Sequence, residues 1–186
     1  IVRAMPNICS ASRMGTTIWH GTSLDERTIE NITNFFESFG ESIEVDNEDA
    51  LSTATALSGV GPAYVSRMIS TLIDAGVHQG LDREMSTNIV KSMVNGTARH
   101  LKISGEHPRL LMERVMSPGG VTTRALASLD KTGFDYCLQQ AVFAASSHQP
   151  YVSSPGRRCG PVPGIKEPSL DQSVSPLVNG LRVVKM

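Results

Sequence analysis

Ser117, Gly119, Gly120, Val121 and Thr122 stand together in the stretch Met116-Ser117-Pro118-Gly119-Gly120-Val121-Thr122-Thr123, between helical patterns at 106–116 and 121–131. A proline followed by two glycines makes a tight, open turn. A helix beginning at 121 or 122 leaves its first backbone N–H groups without partners inside the helix. Glycines at 119 and 120 leave those groups uncovered by side chains. Such a helix start attracts a carboxylate or phosphate, because several N–H groups and the helix dipole converge on it. Ser117 and Thr122 add hydroxyls to the same concavity. A plain helix–helix turn uses the same residues, and at this level both readings stay open.

The rest of the chain excludes more chemistry than it offers. Gly59-Val60-Gly61 suggests a dinucleotide loop, but Tyr64 occupies the third glycine position and no strand precedes it as a βαβ unit requires. No GxxxxGK[ST] or GxSxG segment is present. Cys9, Cys137 and Cys159 are odd in number and far apart, and the five histidines are scattered. No metal site is expected, and the cysteines fit a reducing, cytoplasmic compartment better than a disulfide framework. A net charge of −1, one Trp and three Tyr argue against a nucleic-acid partner. No 18-residue apolar run predicts a membrane span. The first residues read as neither a signal nor a transit peptide; Ile1-Val2 looks like the end of a strand.

The elements that must position the loop follow from periodicity. Residues 1–22 read as extended, with a short strand at 16–19. Ser23, with Glu26 three residues on, predicts a capped helix carrying Ile29, Ile32, Phe35, Phe36 and Phe39 and ended by Gly40. A brief strand at 42–45 and a short helix at 48–57 follow. From 62 to 77 the stripes Tyr64-Met68-Leu72 and Val65-Ile69-Ile73 lie side by side, with only Arg67 and Asp74 charged. A helix so widely apolar is expected to be buried on several sides. Asp82 caps the next helix, to about 102, whose Val94, Gly96, Thr97 and Ala98 permit close packing. Helices at 106–116, 121–131 and 134–146 complete the series.

Past Gln149 the apolar period disappears, and six of the ten prolines fall at 150, 155, 161, 163, 168 and 176. This tail is expected to be disordered. The fold class predicted is all-α: a bundle of about six to seven helices, with a short extended N-terminal segment and a disordered C-terminal tail.

Five segments occur in one order: RAMPN at 3–7, TALSGVGPAYV at 55–65, DAGVHQGLDRE at 74–84, EHP at 106–108 and SPGGVTTRAL at 117–126. Together they resemble the C-terminal half of Δ1-pyrroline-5-carboxylate reductases, over roughly residues 1–147. The resemblance implies three parts. Residues 1–22 would be the end of a Rossmann domain and a linker, the rest of that domain being expected outside this sequence. Residues 23–149 would be a helical dimerisation and substrate domain, and 150–186 a tail. It implies a homodimer or higher homo-oligomer interlocked through helices 62–77 and 82–102, which agrees with their apolar composition.

The activity implied is NAD(P)H-dependent reduction of a small molecule, Δ1-pyrroline-5-carboxylate, to L-proline. NADPH or NADH would be bound mainly by the domain outside this sequence. Ser117, Gly119, Gly120 and Val121 would hold the substrate carboxylate, and Thr122 would reach the ring nitrogen as the catalytic contact. Glu106 falls at a position near the substrate; a helix N-terminal carboxylate explains it equally well. Asn7, Thr55 and Ser58 would face the nicotinamide, although Thr55 and Ser58 also suit an interhelix turn. Two departures stand out: Asn7-Ile8-Cys9 where the family usually has Asn-Thr-Pro, and Val60 where it has Ser. The alternative is a non-catalytic helical dimerisation module, from a truncated or diverged paralogue.

Overall fold

The computed structural model describes residues 1–146, and the expected disordered tail lies outside them. The extended N-terminal segment is organised as part of a three-stranded sheet: β1 (Val2–Pro6), β2 (Gly15–Gly21) and β3 (Gly40–Glu44), in that order. β1 runs antiparallel to β2, and β2 parallel to β3 with α1 (Glu26–Glu37) as the crossover. Successive side chains of a strand point to opposite faces. Trp19 therefore meets Phe36 of α1, ring centroids 6.2 Å apart, and donates from Nε1 to Ser42 Oγ at 2.9 Å. Ile18 points to the other face, beside Leu57. Thr17, Ile18 and Trp19 are all buried, so β2 is covered on both sides.

Asp25, not Ser23, caps α1, accepting the Thr28 N–H at 2.7 Å. Ser23 has φ 55°, in the left-handed region, and so lacks the extended backbone that an N-cap needs. The helix also ends before Gly40. The Ser38 hydroxyl bonds back to the Phe35 carbonyl at 2.6 Å, and Gly40 opens β3 instead.

The helical part begins with α2 (Glu48–Ser58), capped by Asn47 and packed by Leu51 and Ala56 against β2 and α7 (Phe134–Ser146). α3 (Gly61–His78) follows after a short break, with Pro62 in its first turn, where a missing N–H costs nothing. The Tyr64 hydroxyl lies 3.4 Å from the carbonyls of both Ala56 and Ala141, tying α2, α3 and α7 together. α3 and α4 (Arg83–Ser104) form a hairpin, and Asp82 caps α4 as expected. Their close approach lies at Gly76 and Ser86. The Ser86 hydroxyl donates to the Ile73 carbonyl at 2.8 Å, and a Cβ on Gly76 would come within 2.3 Å of Ser86 Oγ. The small residues at 94–98 serve no such contact at Gly96, where a Cβ would meet open space.

α5 (Pro108–Arg114) is shorter than the pattern at 106–116 suggests, because the chain enters it at Pro108 and leaves Glu106 in the preceding loop. α6 (Val121–Thr132) follows. Of α3 to α7, only Ser86 and Val90 are buried among the described residues. The expectation that 62–77 is buried on several sides is thus not met within one chain. Val65, Met68 and Leu72 on α3, and Met85, Ile89 and Met93 on α4, are 36–52% exposed.

Candidate functional site

The loop between α5 and α6 is built by hydrogen bonds to one carbonyl. Ser117 O accepts the Gly120 N–H at 2.9 Å and the Thr123 hydroxyl at 2.7 Å. Gly119, at φ 68°, takes the left-handed position that a type II turn requires after a proline. Gly120 then serves as N-cap of α6 in an extended conformation, with no side chain capping the helix. Val121, Thr122 and Thr123 therefore present their N–H groups outward, without intrahelical partners.

Two side chains border that opening. A Cβ on Gly120 would lie 2.2 Å from Ser117 Oγ, so the serine hydroxyl hangs directly over the helix start. Thr122 is half-buried, and its hydroxyl has no hydrogen-bond partner among the described residues. The five expected loop residues are thus brought together. Gly120 differs from its expected part in one respect: its amide is engaged by the Ser117 carbonyl. The open donors are the amides that follow it.

Glu106 sits in a clamp. Its Oε1 pairs with His100 Nε2 at 2.8 Å, and Arg114 Nη1 reaches Oε1 at 3.2 Å and Oε2 at 3.0 Å. The carboxylate side chain is 14% exposed. The His100 hydrogen bond is the largest cause holding its pKa below the usual glutamate range; desolvation opposes it, and the hydrogen bond and charge of Arg114 add smaller lowering effects.

Asn7 and Ser58 meet at the other candidate region. Asn7 Nδ2 lies 3.3 Å from the Ser58 carbonyl and 3.4 Å from its hydroxyl, while Oδ1 accepts the N–H of Cys9 at 3.1 Å and of Thr16 at 3.4 Å. These groups line a groove of about 500 Å³ with Ile18, Ile43, Leu57 and Pro62. Thr55 is not part of it. Its hydroxyl bonds back to the Leu51 carbonyl at 2.7 Å, and it faces a separate cavity of about 170 Å³ beside Arg3 and Ala145.

Two residues escaped the sequence reading: Thr123, which closes the loop, and Arg114, which grips Glu106. Thr122 and Thr123 are adjacent and identical in type, so only the turn of α6 tells them apart. Among the described residues, no three His, Cys, Asp or Glu side chains converge as a metal site would need, and no helix is long and apolar enough to cross a membrane.

Residues 48–150 match the family model described as pyrroline-5-carboxylate reductase dimerisation. The chain belongs to the pyrroline-5-carboxylate reductase family. It is 37% identical over 146 residues to the pyrroline-5-carboxylate reductase of Synechocystis, covering 78% of this chain and 54% of that one. Identity to the Pisum sativum reductase is 35% over 155 residues, covering 82% and 56%. Among solved structures, Plasmodium falciparum pyrroline carboxylate reductase with NADP bound superposes with a TM-score of 0.74 at 37% identity, over 80% of this chain and 61% of that one. The Coxiella burnetii pyrroline-5-carboxylate reductase gives 0.77 at 31%, over 80% and 55%. The chain spans about half the length of the curated relatives it matches. The pyrroline-5-carboxylate reductase match takes in α2 to α7 and the 117–122 loop; its description points to self-association of this part.

Proposed function

We propose that this chain supplies the substrate-binding and dimerising half of an enzyme that reduces Δ1-pyrroline-5-carboxylate to L-proline. The observation that carries the reading is the open start of α6: amides at Val121, Thr122 and Thr123 with no partner among the described residues, under the Ser117 hydroxyl. These donors suit a carboxylate, and the helix dipole favours its charge. With the carboxylate held there, the free Thr122 hydroxyl is one residue into the helix, placed to donate to the imine nitrogen, directly or through water. That hydrogen bond draws electron density from C5 and makes it the electrophilic carbon. Fixing one end of a small rigid ring also fixes its reactive face, an orientation effect worth on the order of 7 kcal/mol or more in good cases.

The groove at Asn7 and Ser58 suits the nicotinamide end of NADPH or NADH. Its walls, Ile18, Ile43, Leu57 and Pro62, are apolar and match a flat ring. A reduced nicotinamide supplies the hydride. Asn7 and Ser58 hold the rim in shape through their mutual bonds, and Thr16 fastens the rim to β2.

The apolar faces of α3 and α4 are the proposed homodimer surface. A second reading is favoured by Cys9, which stands on the groove where family members usually have proline: a helical module that pairs without catalysing. A chimera separates the two readings. This chain is joined in frame to the unmatched remainder of the Plasmodium falciparum relative, solved with NADP bound, as the nucleotide portion. Consumption of NADPH and NADH is then followed with pyrroline-5-carboxylate present. Turnover above that of the nucleotide portion alone is expected. A folded chimera without turnover supports the second reading.

A further inference from the structure

We infer that Glu106 is a positioning residue that holds the 117–120 loop through Arg114, and does not itself touch the substrate. The inference rests on the carboxylate-binding reading above and deepens it. Three elements meet at this one carboxylate: His100 from the last turns of α4, Glu106 from the connecting loop, and Arg114 at the end of α5. Both oxygens are engaged, Oε1 by His100 and Arg114 and Oε2 by Arg114 alone. Two charge-assisted bonds to a single guanidinium nitrogen, plus the imidazole, take up three of the carboxylate's roughly four acceptor positions.

Arg114 is the last residue of α5, three residues before Ser117. From Arg114 the chain runs through two more bonds, Val115 N–H to Leu111 O at 3.3 Å and Met116 N–H to Glu113 O at 3.2 Å, and enters the turn. Ser117 is where both loop-closing bonds converge. The end of α5 is therefore the anchor from which the Ser117 carbonyl and hydroxyl are hung. α5 is only seven residues long and buries none of them, so packing alone does not fix that anchor. The Glu106 clamp does, by tying it to α4, a helix of 22 residues. Glu106 is thus selected for reach toward Arg114 and His100 rather than toward the open amides of α6.

The test uses the full chain and L-proline as probe, with amide shifts at 117–123 reporting occupancy. Glu106→Gln keeps the shape and removes the charge. Arg114→Met removes the other partner. Each is expected to weaken proline binding by roughly fivefold or more, and the double variant no further than the worse single one, since both break one connection. In the ligand-free chain the same variants shift the Ser117, Gly119 and Gly120 amides. Arg83→Met, which breaks the exposed Arg83–Asp74 pair in the α3–α4 turn, leaves both readouts unchanged. If Arg114→Met unfolds, Arg114→Lys keeps the charge without the guanidinium geometry and reads the same bond. Weakening by Glu106→Gln alone, with Arg114 variants at wild-type affinity, overturns the inference in favour of direct contact. Wild-type affinity in all variants overturns it too. Absence of binding by the unaltered chain tells instead against the carboxylate-binding reading.

Discussion

The Thr123 hydroxyl donates to the Ser117 carbonyl at 2.7 Å, across the loop that opens α6. That bond assigns different work to two neighbouring threonines. Thr123 is consumed in closing the turn, whereas the Thr122 hydroxyl has no partner among the described residues. Thr123→Val removes one neutral hydrogen bond, worth about 1 kcal/mol. Proline affinity is expected to fall about fivefold through a looser turn. Thr122→Val should leave carboxylate affinity near wild type and depress turnover in the chimera. Calorimetric titration and steady-state kinetics on the same pair of variants check both statements.

Gly120→Val should abolish ligand binding and leave the helices intact. Its Cβ would sit 2.2 Å from Ser117 Oγ and 3.0 Å from the Ser117 carbonyl. The hydroxyl must leave the helix start, and the branched side chain then covers the amides. Circular dichroism at wild-type intensity, with no heat of binding for proline, is the expected pair of results. Binding retained at wild-type affinity would mean that the ligand site lies elsewhere.

Much of this was legible in the sequence because local chemistry dictated it. Asp82 precedes an apolar period and caps α4; Pro118 fixes φ at the first turn position and Gly119 tolerates the positive φ the second one needs. The strand at 16–19 and the brief one at 42–45 also stood out, but their pairing as neighbours in one sheet did not, since pairing is not a local property. Ser23 misled for a related reason. The Ser-x-x-Glu pattern was present, but the turn out of β2 puts Ser23 at φ 55°, and the cap passes to Asp25. Asn7 and Ser58 are 51 positions apart and meet only through the packing of α2 on β2. Thr55 lies one helical turn from Ser58, yet its hydroxyl is tied to its own helix. The clamp at Glu106 was hidden because nothing local says that His100 and Arg114 reach the same carboxylate.

Acidification should open that clamp. The folded-state pKa of Glu106 is depressed, so its contribution to stability is fully present above the unfolded value and lost as pH falls through the folded one. From neutral pH downward, the amides of Glu106, Arg114 and Ser117 are expected to hold steady through the usual glutamate range and shift together below it. An NMR pH titration, with Glu106 in the urea-unfolded chain as reference, measures the two midpoints. A folded midpoint at or above the unfolded one contradicts the clamp.

The exposed stripes on α3 and α4 should be covered in solution. Light scattering at micromolar concentration is expected to give a dimer or larger assembly. Ile89→Lys places a charge where Ile89 is 52% exposed in the single chain, so a folded monomer should tolerate it. The assembly should not, because an unpaired buried charge is strongly destabilising. A wild-type chain that scatters as a monomer contradicts the proposed surface.

The start of α6 is the proposed carboxylate site. The most direct measurement is a heteronuclear NMR titration of the folded chain with L-proline. Saturable shifts are expected, confined mainly to residues 117–123 and largest at the Val121, Thr122 and Thr123 amides. Affinity should be weak, about −4 kcal/mol, in the millimolar range, since the loop offers only a few amides and hydroxyls. A well-dispersed spectrum with no shift at 117–123 under saturating proline would contradict it and leave the loop as a turn between two helices.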